Sequence, residues 1–168
     1  CSSDLFIEHN LSDYVRKVFV RGVDKISEEY DCVLPIMSLG YQLKIKPYET
    51  TVLPFRAEPL GKYTNKVGLF WKGSVHHAND SLRSTPTDYI NTLISEHPEI
   101  EFVSLQIDRD EELISAPNIV SAKSDMQGLL DTCRVLQDCS LVISVDSMVA
   151  HLAAGLGKRV LMLHAWSA

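Results

Sequence analysis

The sequence predicts an α/β fold: a parallel β-sheet with helices on both faces. Three observations carry this. Apolar runs alternate with amphipathic helical stretches through the second half of the chain, and strands that alternate with helices belong to a parallel sheet covered on both sides. The apolar run 141–145 ends in the polar pair Asp146-Ser147, a small-residue helix pattern follows, Gly157 closes it, and a second apolar run opens at Arg159. That is strand, turn, helix, strand: one βαβ unit. Composition agrees, since 45% apolar and 23% charged residues are ordinary for a folded domain. At 168 residues the chain can bury one good core, with part of a second domain beside it.

Taken in order, residues 1–45 read as the remnant of a preceding α/β domain. Ser12 caps a short helix through Tyr14, Val15 and Val18, residues 30–34 form a strand, and Pro35 opens a helix through Met37, Leu39 and Leu43. From 46 to 65, Pro47, Pro54, Pro59 and Gly61 break every periodicity, which marks a linker or an extended crossing segment. The main domain then runs over 66–168 and is cut short at its end. Residues 66–71 are its first strand and 73–84 a polar loop. Residues 86–96 form an amphipathic helix capped by Thr85 or Thr87, with Tyr89, Ile90, Leu93 and Ile94 on its inner side. Residues 101–105 are a strand facing inward through Phe102 and Leu105. An acidic stretch covers 108–118, and Ile119-Val120 is a short strand. Residues 125–139 form a helix with Met126, Leu129, Leu130, Cys133 and Leu136 on its apolar face. The βαβ unit follows. No internal repeat or low-complexity tract interrupts the series.

Charge and composition exclude several classes. A net charge of -6 leaves no basic excess for nucleic acid. No apolar run approaches the roughly 20 residues that span a bilayer. The four cysteines form neither a CxxC nor a zinc spacing. Cys32, Cys133 and Cys139 sit in apolar or helical patterns, as buried free thiols do, so a reducing, cytoplasmic setting is expected. No GxGxxG follows a strand, which argues against a dinucleotide-dependent dehydrogenase. The chain starts at Cys1 and stops just after an apolar strand, as a piece of a longer protein would. Its cut apolar edge is the one feature that points to a homo-oligomer.

Three polar loops leave the expected carboxyl ends of the strands, where such sheets bind ligands. In the first, Gly73 and Ser74 would let backbone N–H groups approach a phosphate, or they form a plain turn. Lys72 and Arg83 bring positive charge; Arg83 either grips a phosphate through two parallel bonds or pairs with Asp80. His76-His77 beside Asp80 lacks a third strong ligand, so no metal is expected. In the second loop, Gln106 either reads a base or ribose through its amide or braces a loop. In the third, Asp146 caps the helix, binds a sugar hydroxyl, or does both. Ser147 and His151 are four apart and share a helix face; His151 looks toward the site or is a core histidine bonded to backbone.

These residues together resemble a family. Gly68-Leu69-Phe70-Trp71-Lys72-Gly73, then Asn79-Asp80-Ser81-Leu82-Arg83-Ser84, then Val103-Ser104-Leu105-Gln106, then the block from Val142 through Asp146-Ser147, Ala150-His151-Leu152-Ala153 and Gly157 occur in order. The set is similar to the carboxyl-terminal half of heptosyltransferase-like glycosyltransferases (glycosyltransferase family 9), nearest the bacterial group often fused to tetratricopeptide repeats. Asp31-Cys32-Val33-Leu34-Pro35-Ile36-Met37-Ser38-Leu39 resembles the end of that group's amino-terminal domain. The resemblance implies half of a GT-B architecture, two Rossmann-like domains with the active site between them. The carboxyl-terminal domain would bind a nucleotide-sugar donor, and the other would supply most of the acceptor site and the general base. Transfer to a glycan, lipid or protein hydroxyl would be metal-independent, cofactor-free and inverting. Asp146, Ser147 and His151 match the donor-site block, and Ser74, Arg83 and Gln106 match loops lining the same cleft. Lys72 stands where the group has a small residue, Ser147 where threonine is commoner, and Met148 where lipopolysaccharide heptosyltransferases have glycine. On this reading the isolated chain binds nucleotide weakly and turns over nothing. The rival readings are a non-catalytic nucleotide-binding module and a purely structural fragment.

Overall fold

The computed structural model describes residues 56–74, 80–107 and 116–164. The elements expected within 1–45, residues 46–55 of the segment 46–65, Cys1, Cys32 and the pair His76-His77 lie outside the described residues. Five strands form one sheet: β1 (Val67–Phe70), β2 (Phe102–Ser104), β3 (Ile119–Ser121), β4 (Leu141–Val145) and β5 (Val160–Leu163). Every pairing is parallel, and the order is β3-β2-β1-β4-β5. The chain therefore steps outward from β1 to β3, returns, and continues on the other side of β1. Between β1 and β2 lie α1 (Asp80–Arg83) and α2 (Thr87–Glu96); α3 (Leu129–Asp138) precedes β4, and α4 (Met148–Gly155) joins β4 to β5. The α/β, Rossmann-like sheet expected from the alternation is present.

Crossovers between parallel strands are right-handed, so reversing the direction of travel moves the connecting helix to the opposite face. The packing follows this rule. On one face Leu69, Trp71 and Phe102 meet Ile90 and Ile94 of α2. On the other, Val103, Leu105 and Val142 meet Cys133 and Leu136 of α3 and Val149 and Leu152 of α4. Neighbouring strand residues thus feed separate cores, which is why β2 is buried along its whole length. At the sheet's edge, β5 leaves Leu161 and Met162 exposed. Among the described residues no helix is long and apolar enough to cross a membrane.

Several local expectations are corrected. Tyr89 is 69% exposed rather than inward; the inner stripe of α2 is Ile90 and Ile94 with Leu93 beside it, and one position back turns a side chain about 100° away. Neither Thr85 nor Thr87 caps that helix, because Pro86 holds the cap position. The hydroxyl of Thr87 instead accepts from Trp71 Nε1 at 3.4 Å. The helix expected over 125–139 is divided: a 3₁₀ turn covers Lys123–Asp125, and α3 starts only after Gly128. Glycine is a poor helix former, by roughly 1 kcal/mol against alanine, so the helix begins beyond it. Met126 still reaches the core, while Leu130 is only half-buried. As expected, Gly157 ends α4: its φ is +74°, and Gly157 and Lys158 return N–H bonds to Ala154 and Ala153.

The described part of the 46–65 segment is irregular backbone held against α3. Both carboxylate oxygens of Asp138 accept backbone N–H groups, from Gly61 at 2.8 Å, Lys62 at 2.9 Å and Tyr63 at 3.0 Å. A carboxylate at a helix C-terminus opposes the macrodipole, and these bonds offset that cost. The chain then inserts Tyr63 into the α3/α4 core. Its hydroxyl donates to Asp125 at 2.5 Å, and burial pushes its pKa up.

Gly68, in the central strand, permits a close approach: a Cβ there would lie 2.9 Å from Leu105 Cδ1 and 3.2 Å from Cys139 Sγ. Gly68→Ala should destabilise the domain by about 1–3 kcal/mol through overpacking, read as a lower urea midpoint at unchanged slope. Cys133 and Cys139 are free and buried, as expected, and burial pushes each thiol from 9.0 up to about 12. A thiol that stays protonated in the native state after the unfolded chain has ionised favours folding below the unfolded value. That stability is lost as pH climbs from about 9 toward about 12. The urea midpoint should fall across this window, and fall less in Cys133→Ala/Cys139→Ala, where Tyr63 and Lys62, both held above their ordinary values, still contribute in that direction.

Candidate functional site

The strand order reverses between β1 and β4, and open α/β sheets bind ligands at the carboxyl ends beside such a reversal. Residues 71–74 leave β1 there, Asp146 and Ser147 leave β4, and Gln106 leaves β2 next door.

The loop after β1 is closed on itself. Trp71 and Lys72 both donate their backbone N–H groups to Gln106 Oε1, each at 3.0 Å. Gly73 donates to Ser84 Oγ at 3.0 Å, and that hydroxyl donates to Asp80 Oδ1 at 2.7 Å. Thr85 donates to the Trp71 carbonyl at 2.8 Å. Three successive N–H groups thus have protein partners, so the expected approach of a phosphate to Gly73 N–H is not available in this arrangement. Glycine is needed for a different reason: a Cβ at 73 would lie 2.9 Å from Asp80 Oδ1. Ser74 is exposed at the end of this stretch. Gln106 is 3% exposed, and its oxygen braces the loop, the plainer of its two expected roles.

The start of α4 is built the opposite way. Ser147 occupies the cap position with extended backbone, yet its side chain makes no cap hydrogen bond. Ser144 Oγ donates to the Val145 carbonyl at 2.8 Å and lies 3.0 Å from Ser147 Oγ, so Ser147 is the donor in that pair. Asp146, expected as a cap, precedes the cap position. Its half-exposed carboxylate faces His151 Nε2 at 3.4 Å. His151 is 71% exposed and is not a core histidine. Its N–H bond to the Ser147 carbonyl fixes it one turn into the helix.

Arg83 joins the two loops. It ends α1, and its guanidinium donates to the Asp146 carbonyl from across the reversal. Its Nε is enclosed without a hydrogen-bond partner. Asp80, the alternative partner, bonds to Ser84. The structure therefore brings Arg83, Asp146, Ser147 and His151 together, keeps Gln106 beneath the loop, and leaves Ser74 at its rim. Helix-start N–H groups and a guanidinium are chemically suited to an anion, and a carboxylate such as that of Asp146 can accept from hydroxyls. Among the described residues no group of three or more metal-ligating side chains exists. From sequence, Asp80 stands only as a partner for Arg83 or beside His76-His77 and Ser84 has no role of its own, although their four-residue spacing around Arg83 is a readable signal.

No family model matches the sequence, and no curated protein matches it. Solved structures do match. A glycosyltransferase family 9 protein from Veillonella parvula superposes with a TM-score of 0.53 at 14% identity, over 76% of this chain and 42% of its own. The E. coli heptosyltransferase WaaC with ADP-2-deoxy-2-fluoro heptose gives 0.47 at 16% identity, over 60% of this chain and 33% of its own. The Thermosulfurimonas dismutans β-Kdo 2,4 transferase KpsC gives 0.44 at 14% identity, over 64% and 37%. The chain spans well under half the length of each. The family 9 likeness defines the class of fold, an α/β, Rossmann-like unit of the GT-B kind. More narrowly, the chain shares its fold with part of that family 9 glycosyl transferase, at 14% identity.

Because the Ser147 hydroxyl does not cap α4, Ser147→Ala should cost clearly less than the roughly 1 kcal/mol of a lost cap. Thermal unfolding of the two proteins measures the difference.

Proposed function

We propose that this chain is the donor-binding part of an inverting, metal-independent glycosyltransferase. The observation that carries the reading is the Arg83 bridge to the Asp146 carbonyl, set across the strand-order reversal beside the uncapped start of α4. An anion seated there would be a nucleoside diphosphate bearing a sugar. In the reaction an acceptor hydroxyl oxygen bonds to the sugar's anomeric carbon from the face opposite the phosphate. The bond from that carbon to the phosphate oxygen breaks, and its electron pair leaves with the diphosphate. The acceptor's proton passes to a base supplied by an opposing domain. Negative charge grows on the departing diphosphate, and preorganised N–H donors of α4 together with Arg83 stabilise it more than they stabilise the bound donor. Asp146 accepts from ribose or sugar hydroxyls, and His151 stands beside it as a second polar contact. Ser147 offers its hydroxyl lone pairs at the same edge, and Ser74 would add a contact from the exposed rim of the β1 loop.

Calorimetric titration with UDP, ADP, GDP and CMP, in the presence of EDTA, tests this. One diphosphate should bind without metal, and Arg83→Ala should weaken it by about tenfold, the size of one lost charge-assisted bond. No sugar transfer is expected from the chain alone. A bound diphosphate located away from Asp146 and Ser147, or no heat with any nucleotide, would sink the proposal.

A further inference from the structure

The β1–β2 ladder runs out before its work is done. Its last paired positions are Leu69 and Ser104, and Leu105 N–H still reaches the Leu69 carbonyl at 2.9 Å. Beyond that point the strands part, and the N–H groups of Trp71 and Lys72 have no strand carbonyl opposite them. Gln106 Oε1 accepts both. An amide oxygen has two lone pairs, so one side chain can serve two donors. Gln106 is buried, Trp71 is fully so, and Lys72 is half-buried. An orphaned N–H is expensive in such a place.

We propose that Gln106 is a positioning residue for the donor seat rather than a reader of base or ribose. Its side chain prolongs the sheet ladder by one mock carbonyl and thereby fixes the direction in which the chain leaves β1. The loop it holds is tied at both ends, by Thr85 to the Trp71 carbonyl and by Gly73 to Ser84, and Arg83 sits next to that second tie. Gln106 thus acts on the seat through Arg83. The loop-bracing step stands on geometry alone; only the effect on nucleotide affinity rests on the donor-site reading.

Amide hydrogen exchange by NMR tests the brace without any ligand. The Trp71 and Lys72 amides should be protected in the natural chain and in Gln106→Glu, which keeps acceptor oxygens in place. In Gln106→Leu they should exchange at least about tenfold faster, while Val142, bonded to the Arg159 carbonyl in the sheet, is unchanged. If Gln106→Leu loses protection at Val142 as well, Gln106→Asn, whose amide is drawn back by one methylene, must show the local loss alone. Protection of both amides in Gln106→Leu or Gln106→Asn, or their loss in Gln106→Glu, overturns the proposal. A double-mutant cycle then tests the path to the seat. Gln106→Leu should weaken diphosphate binding by about tenfold in the natural chain and by less than about twofold in Arg83→Ala. An undiminished tenfold loss in the Arg83→Ala background would mean direct contact with ligand. Where the natural chain binds no diphosphate, the donor reading fails and the exchange data still decide the brace.

Discussion

Everything at the candidate site depends on the reversal of strand order beside β1. A parallel sheet wound outward on both sides of one strand must send its right-handed crossovers to opposite faces. The loop after β1 therefore leaves toward α2, and the loop after β4 leaves toward α4 on the other face. Two loops that part company leave a crevice between them. Arg83 is the one described side chain seen to bond across it, and it does so through the backbone carbonyl of Asp146. A carbonyl acceptor leaves the Asp146 carboxylate free to face His151 and solvent. The bridge thus positions both halves of the site without consuming the group that would meet a hydroxyl.

The two cores behind the sheet explain how so short a set of strands holds its register. Three residues of β2 are buried on both faces, and slipping by one would exchange the Phe102 environment for the Val103 environment. Gly68 sharpens this, because only a position without a Cβ lets Leu105 and Cys139 close on the centre of the sheet. At the opposite edge Asp138 gathers three N–H groups of residues 61–63 and pins Tyr63 into the same core. The approach to β1 is fixed by a carboxylate, just as its exit is fixed by an amide. The central strand is held at both ends by side chains from its neighbours in the fold.

Much of this was legible in the sequence, and the reasons differ by residue. Strands buried on both faces read as unbroken apolar runs, so β1, β2, β4 and β5 were plain. The block around Asp146 was plain too, because a strand end, a hydroxyl residue, small helix positions and Gly157 follow one another within a single βαβ unit. Helix phase was less secure: Tyr89 is apolar in composition yet lies one step off the stripe of Ile90 and Ile94. Gly128 sat inside a helical pattern and stopped it. Gln106 could not be resolved from sequence, because its partners, Trp71 and Lys72, are 35 and 34 residues away and come opposite it only when β1 and β2 pair. The same holds for Gly73, whose role becomes visible only once Asp80 lies against it.

The contrast between the two turns has a chemical consequence. In dinucleotide-binding Rossmann domains the first βα turn carries the phosphate, and its glycines clear the way. Here the N–H groups of 71, 72 and 73 are already bound, and the glycine of that turn makes room for Asp80. The absence of a GxGxxG is therefore consistent with how this turn is used. At α4, by contrast, the cap hydroxyl is turned aside toward Ser144 and makes no cap bond. A closed β1 turn and a β4 turn without a side-chain cap leave the start of α4 on one side of the crevice, with the Arg83 guanidinium reaching to it from the other. On the proposed donor reading, an anion at this crevice would be met by the α4 start and Arg83, while the β1 turn, with its own N–H groups already bound, would serve as the wall opposite.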